Sequence, residues 1–163
     1  MTALHDEVDR GSLTWAVRDS LLRYVTVIAR GSFVVEDGTT VTDDGAFTFP
    51  LRNAVQVGNE WRLSFGGSVR FTAHHGFLDI RIAKPELVMG PEGGVLSART
   101  DDGGVTTTLI AVTGAEELGR EGTDLLWTAT DVHLLETGVE LFGGVYPAGT
   151  GLAPLKIRAS LDS

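Results

Sequence analysis

Tyr24, the adjacent pair His74-His75 and Tyr146 are candidates to hold a metal or a flat cofactor. A tyrosine oxygen ligates ferric iron as the phenolate. The free phenol has a pKa near ~10, so a nearby cation or donor must favour the anion. A tyrosine on the apolar face of a helix is also an ordinary core residue whose hydroxyl finds a partner. His74 and His75 are neighbours on a predicted strand and point to opposite faces, so one of them at most faces a given pocket. A zinc centre would need Asp79 or His133 as a third ligand, and the sequence has no H-E-x-x-H or comparable spacing. Tyr146 sits in Leu141-Phe142-Gly143-Gly144-Val145-Tyr146-Pro147-Ala148-Gly149-Thr150-Gly151, where glycines allow close backbone approach. Its ring can cover a flat ligand or pack against its own loop. The phosphate-loop spacings GxGxxG and G-K-[ST] are missing.

Hydrolytic constellations are weak. There is no G-x-S-x-G nucleophile elbow. His133 near Asp131 could orient a base, but no nucleophile goes with it. The acid pairs Asp43-Asp44, Asp101-Asp102 and Glu116-Glu117 fall in predicted turns and read as solvated loop charges, not a glycosidase pair.

The elements that must position these residues follow from periodicity. Leu13 to Val25 reads as a helix capped by Ser12 or Thr14, with Leu13, Val17, Leu21 and Tyr24 on one face. Beyond it the pattern alternates. Residues 32–36 form a strand, followed by a turn at Asp37-Gly38-Thr39-Thr40, and residues 47–49 form a strand that Pro50 ends. Residues 60–65 and 68–74 form a hairpin through Gly66-Gly67, and 77–82 is the next strand. Further strands are expected at 86–89, 94–99, 105–112, 124–128 and 138–142, with a loop or one helical turn over 114–124 and fraying from Arg158 onward. Many short strands punctuated by 21 glycines predict a mainly β, single-domain antiparallel sandwich or barrel-like fold with one short N-terminal helix.

Composition narrows the chemistry. The 163 residues contain no cysteine, which excludes disulfides, thiolate-ligated metal centres and covalent C-x-x-C-H haem attachment. The net charge is −9, and the basic footprint of a nucleic-acid binder is missing. Residues 1–85 hold ten acids and nine bases, residues 86–163 twelve acids and four bases, so an anionic ligand is expected on the first half. No segment reaches the ~20 apolar residues of a membrane span. The acidic first ten residues do not read as a secretory signal, so a cytoplasmic chain is expected, or a cell-envelope one if this is an excised domain.

Several blocks together carry a family resemblance. Gly11-Ser12-Leu13-Thr14-Trp15-Ala16-Val17 with Leu22-Arg23-Tyr24-Val25 resembles the opening of the HtaA family of haem-binding domains, best known from actinobacterial haem uptake. Gly45-Ala46-Phe47-Thr48-Phe49-Pro50 is similar to its next segment. Gly67-Ser68-Val69-Arg70-Phe71-Thr72-Ala73-His74-His75-Gly76-Phe77-Leu78-Asp79, continuing to Ala83-Lys84-Pro85, resembles its most distinctive block. Phe142 to Gly149, then Leu152-Ala153-Pro154-Leu155, resembles its C-terminal block. The domain would span 11–158, between a lead (1–10) and a tail (159–163).

The resemblance implies a module that binds ferric haem b, with Tyr24 as the axial iron ligand, for capture, transfer or intracellular trafficking and storage. His74 stands where the family has its histidine, after Ala73 in place of the usual glycine, and His75 where a small or polar residue is common; His74 is the favoured pocket member. Tyr146 matches the family's late tyrosine. Ser20, one turn before Tyr24, would serve as a second-sphere or propionate contact, and Arg23 or Arg70 would meet the propionates. Val17, Leu21, Phe49, Phe71 and Val145 are candidates for holding the apolar disc. The implied partners are haem and a haem donor or acceptor protein, without nucleic acid or membrane insertion, and a homodimer stays open. Two other readings remain: a haem-dependent enzyme, peroxidase-like or haem-degrading, and a non-haem β module binding carbohydrate or protein.

Overall fold

The computed structural model describes residues 11–17, 32–43, 45–73, 78–100, 107–113, 119–121, 124–142 and 146–160. Its strands are β1 (Gly11–Trp15), β2 (Ser32–Glu36), β3 (Thr40–Val41), β4 (Phe47–Val57), β5 (Glu60–Phe65), β6 (Ser68–Ala73) and β7 (Leu78–Gly90). They continue with β8 (Gly93–Arg99), β9 (Thr107–Thr113), β10 (Gly119–Glu121), β11 (Asp124–Ala129), β12 (Val132–Leu134), β13 (Gly151–Leu152) and β14 (Leu155–Ser160). Among the described residues an α-turn, α1 (Glu136–Val139), runs into a 3-10 turn (Glu140–Phe142). The strands join antiparallel in one curled sheet, a half-barrel, in the order β10-β11-β14-β1-β4-β5-β7-β8-β9-β12-β13, with β2 on β6, β6 on β7 and β3 on β4. The expected mainly β class is the class observed.

Alternation builds this sheet. β8 and β14 each bury every second residue, and the buried set closes one core inside the curl, dominated by Trp15, Phe47, Phe49 and Phe71. The rings of Phe33, Phe47 and Phe71 meet edge-on, with centroids 5.3 Å apart for Phe33–Phe47 and 5.4 Å for Phe47–Phe71. Each large apolar side chain removed from water is worth about 1.5–3 kcal/mol.

Several sequence expectations change. Residues 11–15 are strand, not the start of a helix: β1 lies between β14 and β4 with Leu13 and Trp15 buried. A spacing of four between Leu13 and Val17 is a multiple of two, so it fits a strand as well as a helix face. The remainder of the expected helix, 18–25, lies outside the described residues. Pro50 does not end its strand. β4 pairs with β1 up to Pro50 and with β5 from Leu51, and at this handover the Pro50 carbonyl accepts the Gly66 N–H at 2.8 Å, so the missing proline amide is tolerated.

Gly66-Gly67 is not a hairpin. β5 and β6 run in line along the same strand, β7, with Ser64 opposite Glu86 and Ser68 opposite Ala83. The expected strands 77–82 and 86–89 are thereby joined in one β7, bulged at Lys84-Pro85. The expected strand at 138–142 is the α1 and 3-10 turn. Gly138 packs there on the Ile110 backbone, where a Cβ would come within 2.8 Å of the carbonyl oxygen. β10 occupies part of the expected loop at 114–124. Residues 158–160 do not fray: β14 continues through Ser160 between β1 and β11, with Ala159 buried. Among the described residues no helix is long and apolar enough to cross a membrane.

Candidate functional site

Tyr24, Ser20 and Arg23 belong to segment 18–31, and His74 and His75 to connection 74–77; all five lie outside the described residues. What the structure describes is the frame that holds the ends of these two segments.

At the first joint β1 delivers Trp15 and Val17 into the core, 1% and 0% exposed. The Trp15 indole N–H donates to the Ala153 carbonyl at 2.9 Å, and the Ala153 N–H donates back to the Val17 carbonyl at 2.8 Å. This reciprocal pair ties the end of β1 to the link between β13 and β14. Val17 adopts φ 60, a left-handed conformation that costs a β-branched residue about 1–3 kcal/mol, and the chain leaves β1 there. At the second joint β2 begins with Ser32 opposite Thr72 of β6. β6 and β7 then close on Ala73 opposite Leu78, the residues that bound connection 74–77. Segment 18–31 therefore emerges beside Ala153 and re-enters the sheet two residues from His74.

Arg70 is half-buried on β6. Its guanidinium forks onto Asp79 of β7, Nε to Oδ1 at 2.8 Å and Nη2 to Oδ2 at 2.6 Å. That hydrogen-bonded cation holds the Asp79 carboxyl below its ordinary pKa, against the opposing effect of burial. Tyr146 is half-buried against the core, at the start of a loop stapled to β12. In that staple the Gly149 N–H donates to the Leu134 carbonyl at 2.8 Å and the Leu134 N–H to the Thr150 carbonyl at 2.9 Å. The loop leads through β13 to Ala153, so Tyr146 is linked by chain to the first joint. Val17, Phe49 and Phe71, expected against a haem disc, are fully buried core residues, and Leu21 and Val145 lie outside the described residues.

His133 Nδ1 meets Asp131 Oδ1 at 3.1 Å on the solvent side of β12, both side chains largely exposed. Among the described residues no three His, Asp or Glu side chains converge as a metal site. Sequence reasoning missed the joint residues Trp15 and Val17 as positioning groups. Their period-two burial was the available signal, and the helix reading of 13–25 concealed it.

The family model for HtaA (Htaa) matches residues 10–158. In structure the chain is similar to the C-terminal domain of HtaA from Corynebacterium glutamicum, with a TM-score of 0.81 and 28% identity over 92% of this chain and 95% of that one. It shares its fold with the N-terminal domain of HtaA from the same organism (TM-score 0.73, 23% identity, 94% and 97% covered). It shares it as well with the haem-binding protein HtaB of that organism (TM-score 0.65, 21% identity, 91% of each chain). No curated protein matches the chain in sequence.

Proposed function

The chain belongs to the HtaA family, and on that premise we propose that it is a haem-binding module that holds ferric haem through the Tyr24 phenolate. The observation that carries this reading is the family match across nearly the whole chain, joined to a frame whose two joints bound the segments bearing Tyr24 and His74. Haem is the cargo here. An anionic oxygen ligand favours Fe(III) over Fe(II), which suits capture and transfer of oxidised haem better than O₂ carriage. His74, on the connection that follows β6, favours the ionised form of the Tyr24 hydroxyl by donating to its oxygen. Ser20 and Arg23, on the same segment as Tyr24, meet the propionates. Arg70 takes part only by sharing a guanidinium that already holds Asp79. Binding and release without turnover is the proposed activity, and a haem donor or acceptor protein the proposed partner.

The test is an absorption titration with hemin on wild type and Tyr24→Phe. The variant is expected to lose the phenolate charge-transfer band and about 100-fold in affinity, roughly 2.8 kcal/mol. An unchanged spectrum and affinity would remove Tyr24 as the ligand. Absence of any hemin shift in the wild type would remove the haem reading itself.

A further inference from the structure

A second candidate site lies at the other end of β6. The sheet turns a corner where β5 passes into β6, and three irregularities coincide there. β4 slips register against β5 between Leu51 and Asn53, Gly66-Gly67 interrupts the β5–β6 line, and β7 bulges against β8 between Ala83 and Glu86. Bulges re-aim side chains and recur beside binding sites. Here they open a cleft of about 530 Å³, within the range of small-molecule pockets. Arg52, Lys84 and Arg99 line it, three of the 13 basic residues of a chain whose net charge is −9, together with the carboxylates of Asp37 and Glu86.

The geometry of the cleft is specific to these residues. Lys84 stands at φ 47, a left-handed conformation that lysine rarely adopts, held by its N–H donating to the Gly67 carbonyl at 2.8 Å. Gly66 has no side chain, and the Arg52 guanidinium occupies the space where a Cβ would be. The Thr39 hydroxyl packs in the same way on Gly67. It is 94% buried and has no hydrogen-bond partner among the described residues (Thr39 is 6% exposed). Lys84 and Glu86, both exposed on the cleft, have no ion-pair partner among the described residues. Lys84 and Glu86 both line the cleft without pairing with each other, so a ligand with an anionic group and hydroxyl donors can meet both, whereas a bare anion meets only the cation.

We propose that this corner cleft binds a small hydroxylated anion, a sugar phosphate or a hydroxycarboxylate, with the anionic group on Arg52, Lys84 and Arg99 and the hydroxyls on Glu86 and Asp37. It is independent of the haem reading, because Arg52, Lys84 and Arg99 sit at the far end of β6 from His74.

Isothermal titration of the full chain with glucose 6-phosphate, citrate and sulfate at physiological salt tests it. Saturable binding of glucose 6-phosphate or citrate is expected, and which of the two binds assigns the source of the anion. Affinity should fall at least tenfold in Lys84→Gly, a variant whose glycine fits the left-handed backbone and so stays folded, and several-fold in Glu86→Gln. The proposal is overturned by no saturable heat with either hydroxylated anion, by equal affinity in Lys84→Gly, or by sulfate binding as tightly as both, which marks an adventitious ion only.

Discussion

The two ends of β6 are built on different principles. At the Ala73 end Phe71 packs on Phe47, which lies opposite Trp15 of the joint where Trp15, Val17 and Ala153 exchange two hydrogen bonds. At the Ser68 end the neighbours are Arg52, Lys84, Glu86 and a corner of two glycines. Each region carries a residue in the left-handed region, Val17 at the joint and Lys84 at the corner. Val17 is fully buried and its conformation is held by burial plus hydrogen bonding, whereas Lys84 is exposed and held by one backbone bond. The first end is therefore rigid because it is part of the core, and changes there cost stability before they cost binding. The second tolerates changes to its charges, because its shape rests on glycines and backbone.

Substitutions can break that contrast. Gly67→Ala should have the largest effect. A Cβ there would overlap the Thr39 hydroxyl, and φ +87 is unfavourable for alanine, so we expect about 3 kcal/mol of destabilisation, read by urea unfolding. A loss below about 1 kcal/mol would mean that the corner is not fixed by its glycines. Trp15→Phe comes next, at about 2–3 kcal/mol from the lost Ala153 hydrogen bond and the space left by the indole. That corresponds to several degrees in Tm for a domain of this size. Hemin dissociation should accelerate with it, while anion titration at the corner stays unchanged. A change at both sites would make the two ends one cooperative unit. Lys84→Gly should stabilise the fold by up to about 1 kcal/mol by relieving the left-handed backbone, with hemin binding unaltered.

The contrast also explains what the sequence revealed. β2, β8 and β11 were legible because each is a short apolar, β-prone run bounded by turn residues, a signal held within a few residues. The corner was not. Pro50, Gly66-Gly67 and Lys84-Pro85 are all local stop or turn signals, yet each lies inside or in line with a strand, because a distant strand supplies the partner. Arg52, Lys84 and Arg99 come from three strands, and no spacing in the chain announces their meeting. Tyr24 and His74 were reached through residue chemistry and family resemblance. The Trp15–Val17 joint that bounds the segment of Tyr24 was hidden by a spacing of four residues that strand and helix share.

The smallest expected effect lies between the two ends, at Arg70–Asp79. Both side chains are more than a third exposed, so solvent screens the pair and its contribution is a few tenths of a kcal/mol. Its sign with pH is fixed. Arg70 lowers the folded-state pKa of Asp79 below 3.8, so the stabilisation is fully present above the ordinary carboxylate value and is lost as pH falls through the lowered one. Asp79→Asn should therefore be about 1 °C less stable than wild type at pH 7, and the gap should close as the pH is taken to 3 and below in thermal melts. A gap that persists in acid would assign the pair to packing rather than charge. A gap of several degrees at pH 7 would extend the rigidity of the Ala73 end along β6 and β7 towards the corner, and would erase the boundary between the two regions.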